Sequence, residues 1–501
     1  MQKINTGDEY ISSIRNRSLK VYLFGELVEE PTDHSIIRPS INALAKTYDL
    51  AIENPELALV TSPFTGEKVS RFLNICTSAN DLVLQNKMQR RLGQLTGTCF
   101  QRCVGMDAFN SLYSVTFEMD EANGTPYHAR MKAFLKTMHT YNYVVGGAMT
   151  DVKGDRSLAP HEQVDKDMFV RITKRTADGV YISGAKAHQT GCINSHYMIV
   201  MPTMRLGEKD KEYAIVGAVP VDVEGITYIY GRQSCDTRSL EGSIDVGNAQ
   251  YGGQEAMVIF DNVFIPNEYV FMDGEYDYAA MLVERFTMYH RRSYVCKSGV
   301  GDVLIGAAAN IVEMNGVTKP SHIKDKLVEM THLNETVYAT GIAASYQGRQ
   351  TKSGNFQPDE MLANVCKHHV TKMPFDISRI AQDLGGGLVS TLPSEKDFNH
   401  PVIGKLLDKY LRGKADVKTE DRVRILRLIE NMTMGRNAVG YLTESMHGAG
   451  SPQAQRIQIG RLMQLEYKKR LAKVIAGIEL EEKDKVIDEL GGYFERVFKL
   501  Q

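Results

Sequence analysis

Over residues 8–140 apolar positions recur at three- and four-residue steps, a period that predicts helices. Leu82, Met88, Leu92 and Leu95 are the clearest case, with Asn80 or Asp81 as the expected cap before them. Between 150 and 275 the pattern shortens to strand-length runs. Phe169-Val170-Arg171-Ile172, a turn at Asp178-Gly179 and then Val180-Tyr181-Ile182 form a hairpin signature. Further runs at Met198 to Met201, Tyr213 to Val219, Ile226 to Tyr230 and Met257 to Phe264 predict a small antiparallel barrel or sandwich. From 276 onward long helical patterns return: Tyr278 to Arg291, Asp302 to Met314, Ser321 to Ala344, Asp359 to Ala381, Thr419 to Met434 and Pro452 to Gly477. Several long helices in succession mean a bundle. Pro374 is expected to end or kink its helix, and Gly385-Gly386-Gly387 to make a close-approach turn after it. Glu479 to Gln501 mix charges on an amphipathic pattern, which predicts a terminal helix at a subunit contact. The expected class is α+β, with an N-terminal helical domain over 1–141, a middle antiparallel β domain over 142–275 and a C-terminal helical bundle over 276–501.

Composition narrows the partners. With 43% of 501 residues hydrophobic, the chain can bury several cores, and its length suggests about three folding units. A net charge of -2 gives no global field to hold a polyanion, so nucleic acid is not an expected partner and an anionic ligand must be met locally. The start, Met1-Gln2-Lys3-Ile4-Asn5, has no basic segment followed by an apolar stretch and does not resemble a signal peptide. No apolar run is expected to reach the ~20 residues of a membrane helix. A soluble, cytoplasmic protein is the expectation. Cys76, Cys99, Cys103, Cys192, Cys235, Cys296 and Cys366 are an odd set with no export signal, so packing, nucleophile or metal-ligand roles are expected rather than disulfides. No GxGxxG follows a strand, no Walker sequence is present, and Gly299-Val300-Gly301 alone does not qualify as either. A nucleotide cofactor would therefore sit between the β domain and the bundle.

Cys99 and Cys103 are four residues apart, a spacing that puts both sulfurs on one face if the segment is helical. Far downstream, His290 and Cys296 stand close together, with Lys297 next to the thiol to favour thiolate. Three cysteines and a histidine make a four-ligand set, and soft thiolates suit zinc or iron-sulfur. Judged alone, a CxxxC pair on an apolar helix is more often core packing, and a single histidine more often a hydrogen-bonded core or surface residue.

Longer motifs change that weighting. Gln101 to Asn110, Gly147 to Asp151 with Lys153 to Arg156, Gly184 to Gly191, Tyr230 to Arg238, Phe260 to Pro266 and Thr443 to Gln455 together resemble the 4-hydroxybutyryl-CoA dehydratases over nearly the whole chain. Their wider group includes flavin-dependent 4-hydroxyphenylacetate hydroxylases, built like acyl-CoA dehydrogenases. The resemblance implies a homotetramer that takes an acyl-CoA substrate and carries FAD and a 4Fe-4S cluster. The implied cluster ligands are Cys99, Cys103, His290 and Cys296. The implied flavin contacts are Met149, Thr150, Asp151, Lys153, Gly154, Asp155, Arg156, His188, Gln189 and Thr190, with Gly385 and Gly386. Glu255, Glu444, Tyr294 and Lys297 are implied to line the substrate space, with His290 and Glu444 as bases. The implied reaction is radical dehydration of 4-hydroxybutyryl-CoA to crotonyl-CoA, accompanied by vinylacetyl-CoA isomerisation. A related acyl-CoA dehydratase or isomerase and a two-component aromatic hydroxylase are the alternatives. One departure stands out: two residues separate the family's equivalents of Tyr294 and Cys296, whereas here only Val295 does. In a helix, one missing residue rotates all later side chains by ~100°.

Overall fold

Helices lead the chain. In the computed structural model, which describes residues 2–232 and 235–480, α1 (Gly7–Ser13), α2 (Arg38–Glu53), α3 (Pro55–Ala58), α4 (Ala79–Thr96), α5 (Cys103–Asn123) and α6 (Tyr127–Tyr141) precede the main run of strands. The all-helical expectation for this stretch needs correction, because β1 (Val21–Leu23), β2 (Glu26–Val28), β3 (Leu59–Thr61) and β4 (Lys68–Ser70) interrupt it. Three residues are too few for an alternating period to be legible. The cap of α4 also differs from expectation. Ser78 is the N-cap, its hydroxyl accepting from Asp81 N at 3.2 Å, while the Asp81 carboxylate accepts from Ser78 N at 3.1 Å. Asp81 is thus the third-residue partner in a capping box rather than the cap.

The middle of the chain supplies β5 (Val145–Ala148), β6 (Arg171–Arg175), β7 (Gly179–Thr190), β8 (Tyr197–Val200), β9 (Ile215–Pro220), β10 (Ile226–Tyr230), β11 (Glu255–Pro266) and β12 (Val270–Asp273). The predicted hairpin is present, with Ile172 opposite Ile182 and Arg175 opposite Val180. Strands order as β2-β1-β10-β11-β7-β6 in one sheet and β12-β9-β8-β5 in the other. Neither sheet is purely antiparallel, since β1 runs parallel to β10 and β5 parallel to β8. Those partners lie far apart in the chain, so no local turn signal could announce them. Ile182, Val258 and Phe260 of one sheet, Val145, Ile199 and Val219 of the other, and Phe109 and Phe134 of α5 and α6 share one buried core. The β7–β11 pairing sets Glu255 opposite Thr190 at the strand ends.

The remaining chain is dominated by helices: α7 (Tyr276–Ser293), α8 (Cys296–Met314), α9 (Ser321–Tyr346), α10 (Glu360–Val370), α11 (Met373–Gly385), α12 (Leu388–Thr391), α13 (Glu395–Phe398), α14 (Ile403–Tyr410), α15 (Thr419–Thr433), α16 (Glu444–His447), α17 (Pro452–Leu462) and α18 (Leu465–Ile475). The single helix expected over Asp359 to Ala381 is two. Its break falls before Pro374, which sits in the first turn of α11, where a missing N–H costs nothing. The pattern over Pro452 to Gly477 is likewise divided, at Gln464 with φ 45°. Gly386 caps α11 with φ 71°. The terminal helix expected over Glu479 to Gln501 lies, from residue 481 on, outside the described residues. One expectation about apolar runs is overturned: the helical stretch Tyr276–Met314 contains a window of mean hydropathy 1.4, long and apolar enough to cross a membrane, but 61% of it is buried inside the protein. Burial in the core accounts for its composition.

α4 and α8 meet where two glycines face each other's backbone. A Cβ on Gly299 would lie 2.0 Å from the Arg90 carbonyl oxygen, and one on Gly93 would lie 2.5 Å from that of Cys296. This contact sets the depth of the Cys296 end of α8. Gly299→Ala is expected to destabilise the protein by about 1–3 kcal/mol through overpacking. Gly306→Ala, on the same helix with nothing within 4 Å of its Cβ, is expected to stabilise it by about 0.5–1 kcal/mol. Thermal unfolding midpoints of the two variants would move in opposite directions, and a shift in the same direction would refute the close-packing account.

Candidate active site

Cys99, Cys103 and Cys296 come together from three pieces of backbone. Cys103 opens α5 and Cys296 opens α8, while Cys99 lies in the loop between α4 and α5, which turns through Gln101 at φ 66°. The two sulfurs of the CxxxC pair are therefore not presented by one helix, as the spacing suggested. Loop geometry brings them together instead. Gln89 Nε2 donates to Cys103 Sγ at 3.2 Å. The Cys103 thiol hydrogen-bonds to Cys296, and this bond, helped by the Lys297 ammonium, holds Cys296 below the usual thiol range, while Cys103 is pushed well above it. Cys99 is pushed well up by burial and by Glu444. The α7–α8 junction lies in the segment between Tyr294 and Cys296, where Tyr294 ends one helix and Val295 caps the next. Cys296 faces Cys103 from the first residue of α8.

The carboxylate of Glu444 sits at this point. Its Oε1 lies 3.8 Å from Cys99 Sγ. Its Oε2 is buried, accepts no hydrogen bond among the described residues and lies 3.3 Å from Lys297 Nζ. Lys297, 3% exposed, also donates to the Gly440 carbonyl at 2.7 Å. Burial alone would lower its pKa, but Glu444 and the neighbouring thiols outweigh that and raise it, so it stays protonated. Glu444 follows a π-helical turn, Val439–Thr443, a form frequent at functional sites because the widened turn redirects side chains. After it the chain must pass Tyr294 closely, and a Cβ on Gly448 would lie 1.7 Å from the Tyr294 hydroxyl oxygen. That is why the motif reads His447-Gly448. Glu255, on the β7–β11 edge, accepts from Thr190 Oγ1 at 2.6 Å; burial, reinforced by the Glu444 charge, pushes it well above the usual carboxylate range.

His290 is held one turn before Tyr294, their rings edge to face at 5.3 Å. Its Nδ1 hydrogen-bonds the Asp107 carboxylate at 2.8 Å, and Ser293 Oγ donates to the other Asp107 oxygen at 3.0 Å. Donation from Nδ1 to a carboxylate leaves Nε2 with the lone pair. Among the described residues no three His, Cys, Asp or Glu side chains could share one metal ion. A four-iron cubane makes no such demand, because its ligands stand at separate corners.

The expected flavin segments lie along the exit from β5 and the end of β7. Gln189 ties them together, accepting from Met149 N at 2.8 Å and donating to the Thr150 carbonyl at 3.0 Å. Asp151 is committed to a buried ion pair with Lys186 at 2.5 Å. Asp155 caps the turn at Ser157, and Gly154, at φ 51°, packs on Gln163. Lys153 and Arg156 are like-charged neighbours without an ion pair among the described residues. His188, at φ 25°, is pushed down by burial and by Lys153 and His447. This local excess of positive charge is suited to an anionic group. A Cβ on Gly385 would meet Val389, Ile429 and Leu426, and one on Gly386 nothing within 4 Å.

Gln89 and Asp107 were not singled out from the sequence, nor were Lys367 and Arg291, which donate to the Ser445 and Ala449 carbonyls after Glu444. Asp107 lies four residues after Cys103 on α5, hence on its face of the helix, a spacing that could have found it. Lys367 and Arg291 carried no signal, since a cation near the C-terminal end of a helix ordinarily serves the helix dipole in water.

Residues 6–272 match the family described as 4-hydroxyphenylacetate 3-hydroxylase N terminal, and residues 279–477 the corresponding C terminal. The chain belongs to the 4-hydroxyphenylacetate 3-hydroxylase family. Within it, the chain is 53% identical over 488 residues to a 4-hydroxybutyryl-CoA dehydratase/vinylacetyl-CoA-Delta-isomerase of Clostridium aminobutyricum, covering 95% of this chain and 99% of that one. It is 65% identical to an oxygen-tolerant archaeal 4-hydroxybutyryl-CoA dehydratase from N. maritimus whose structure is solved, with a TM-score of 0.96 over 100% of both chains. The oxygenase component of a 4-hydroxyphenylacetate 3-monooxygenase, solved with FAD, shares the fold at 21% identity, with a TM-score of 0.82 over 97% of this chain and 100% of the other. The motif resemblance to the dehydratases is thus borne out along the whole chain.

Proposed function

We propose that this protein dehydrates 4-hydroxybutyryl-CoA to crotonyl-CoA and isomerises vinylacetyl-CoA, using FAD and a 4Fe-4S cluster. The observation that carries the proposal is the convergence of three cysteine thiols on the Glu444–Lys297 pair. Its chemistry agrees with the dehydratase names of relatives 53% and 65% identical. Cys99, Cys103, Cys296 and His290 would hold the cluster, a donor set of soft thiolates and one imidazole that fits iron-sulfur. Lys153, Arg156 and His188, with the Met149–Thr150 backbone, would hold the flavin. When bound, FAD supplies reversible one-electron oxidation and the cluster a Lewis-acidic iron for the departing hydroxyl.

The chain's own residues do the proton work. The C2 proton lies next to the thioester carbonyl and is the acidic one; Glu444 is placed to take it. Lys297, protonated and buried, puts positive charge where the enolate oxygen forms, in surroundings where that charge is worth more than in water. Glu255, pushed up by burial and by the Glu444 charge, is the carboxyl suited to hold a proton and give it back. His290, fixed by Asp107, presents Nε2. Tyr294 walls the space between them. A homotetramer in the cytoplasm belongs to the same proposal, checked by mass in solution and by cell fractionation.

The test is turnover of 4-hydroxybutyryl-CoA by protein purified without oxygen, with flavin and iron counted in the same sample. Crotonyl-CoA formation with about four irons per subunit is the expected result. Flavin without iron, and hydroxylation of a phenol instead, would replace the proposal with the hydroxylase alternative.

A further inference from the structure

Among the buried charges that the mechanism does not use, one stands beside the Glu444 turn. Lys367, 0% exposed on α10, makes no carboxylate ion pair among the described residues. Its Nζ donates to the Ser445 carbonyl at 2.5 Å, lies 3.5 Å from the Met446 carbonyl, and stands 4.5 Å over the centre of the Tyr294 ring. We propose that Lys367 is a positioning residue for the reaction, an ammonium clamp that fixes the Glu444 turn and the Tyr294 ring together. This rests on the dehydratase function proposed above.

Three observations carry it. α16 is the last turn of a helix that runs on from the π-turn Val439–Thr443, and the carbonyls at such an end have no further turn of the helix to pair with. Lys367 takes the carbonyl of the residue directly after Glu444, so it fixes the backbone from which that carboxylate projects. A cation at a helix C-terminus is also favoured by the helix dipole. The Tyr294 ring lies beneath the same ammonium, and its hydroxyl is 3.5 Å from the Glu444 carbonyl oxygen, so one charge orients both groups. Arg291 of α7 completes the clamp, its Nε donating to the Ala449 carbonyl at 3.1 Å and its guanidinium to Asn364 of α10 at 2.6 Å.

The cost of this arrangement argues against simple packing. A buried ammonium without a carboxylate partner is unfavourable, and an apolar side chain of similar volume would suit a core better. Burial together with Arg291 and Lys297 pushes Lys367 down to about 7, in the direction expected of a cation crowded by other cations. Such a charge is kept where a site needs it.

Lys367→Met removes the charge and the donor at near-constant volume; Lys367→Gln drops the charge but keeps a donor for the Ser445 carbonyl. Both would be purified as full-length holoenzyme, with flavin and iron counted before assay. The expected result is retained cofactors, a KM for 4-hydroxybutyryl-CoA within about twofold of wild type, and a kcat lower by roughly 10- to 100-fold in Lys367→Met, the loss that a misplaced catalytic group produces. Exchange of the C2 proton with deuterated water should slow in parallel, because it reads the placement of Glu444 directly. Lys367→Gln should recover part of both rates, and it carries the test alone if Lys367→Met does not fold. Wild-type kcat in both variants, or a raised KM with unchanged kcat, would overturn the role of Lys367. Wild-type protein that turns over no 4-hydroxyacyl-CoA would overturn the dehydratase function, and this role with it.

Discussion

Glutamine in place of Glu444 is expected to leave a folded, cofactor-loaded protein whose kcat for dehydration falls by roughly 10²- to 10⁴-fold, the usual contribution of a positioned general base. The substitution is nearly isosteric, so the Gly440 and Gly448 contacts around the turn survive. It removes the one carboxylate among the described residues within ion-pair distance of Lys297, at 3.3 Å, and the acceptor 3.8 Å from Cys99 Sγ. Steady-state kinetics with C2-proton exchange check the result. A variant that exchanges the C2 proton at the wild-type rate would move the base elsewhere, with His290 the next residue to examine.

The second large effect concerns Cys296. Alanine there is expected to remove the cluster, with iron and sulfide falling to a small fraction of wild type and dehydration lost altogether, while flavin is retained. The reason is local. Cys296 holds the hydrogen bond from Cys103, sits next to Lys297 and is the thiol of the three whose pKa is lowered, so it is the readiest to coordinate as thiolate. Loss of one of three thiols leaves Cys99, pushed up by burial, and Cys103, pushed up by its hydrogen bond to Cys296 and by burial, without their partner. The visible spectrum and iron content of the variant purified without oxygen decide the matter. Full iron in Cys296→Ala would mean that the shortened Tyr294–Cys296 segment has excluded this thiol from the ligand set.

Glu444 and Cys296 also show the two ways in which the site was legible. Glu444 was found because it lies in a long motif, Thr443 to Gln455, whose glycines answer to a steric demand now visible at Gly448. Cys296 was found as a member of a ligand set, while the shorter spacing from Tyr294 left open whether it still faces the other thiols. The structure sets Cys296 at the start of α8, hydrogen-bonded to Cys103. Lys367 and Arg291 went unseen because their work is to grip backbone carbonyls, and carbonyls carry no sequence identity.

From the chain alone came the order of helical, strand and helical regions, the β6–β7 hairpin, and the thiols and carboxylates that carry the chemistry. These depend on short-range periodicity and on residue type, both of which are written locally. Only the tertiary structure decided the parallel pairing of β1 with β10 and of β5 with β8, the division of the helix at Pro374, and the separate origins of Cys99 and Cys103. It alone brought the Glu444 turn under Lys367. Each of these joins segments tens to hundreds of residues apart, and what selects them is burial and hydrogen-bond satisfaction over the whole core rather than any local preference.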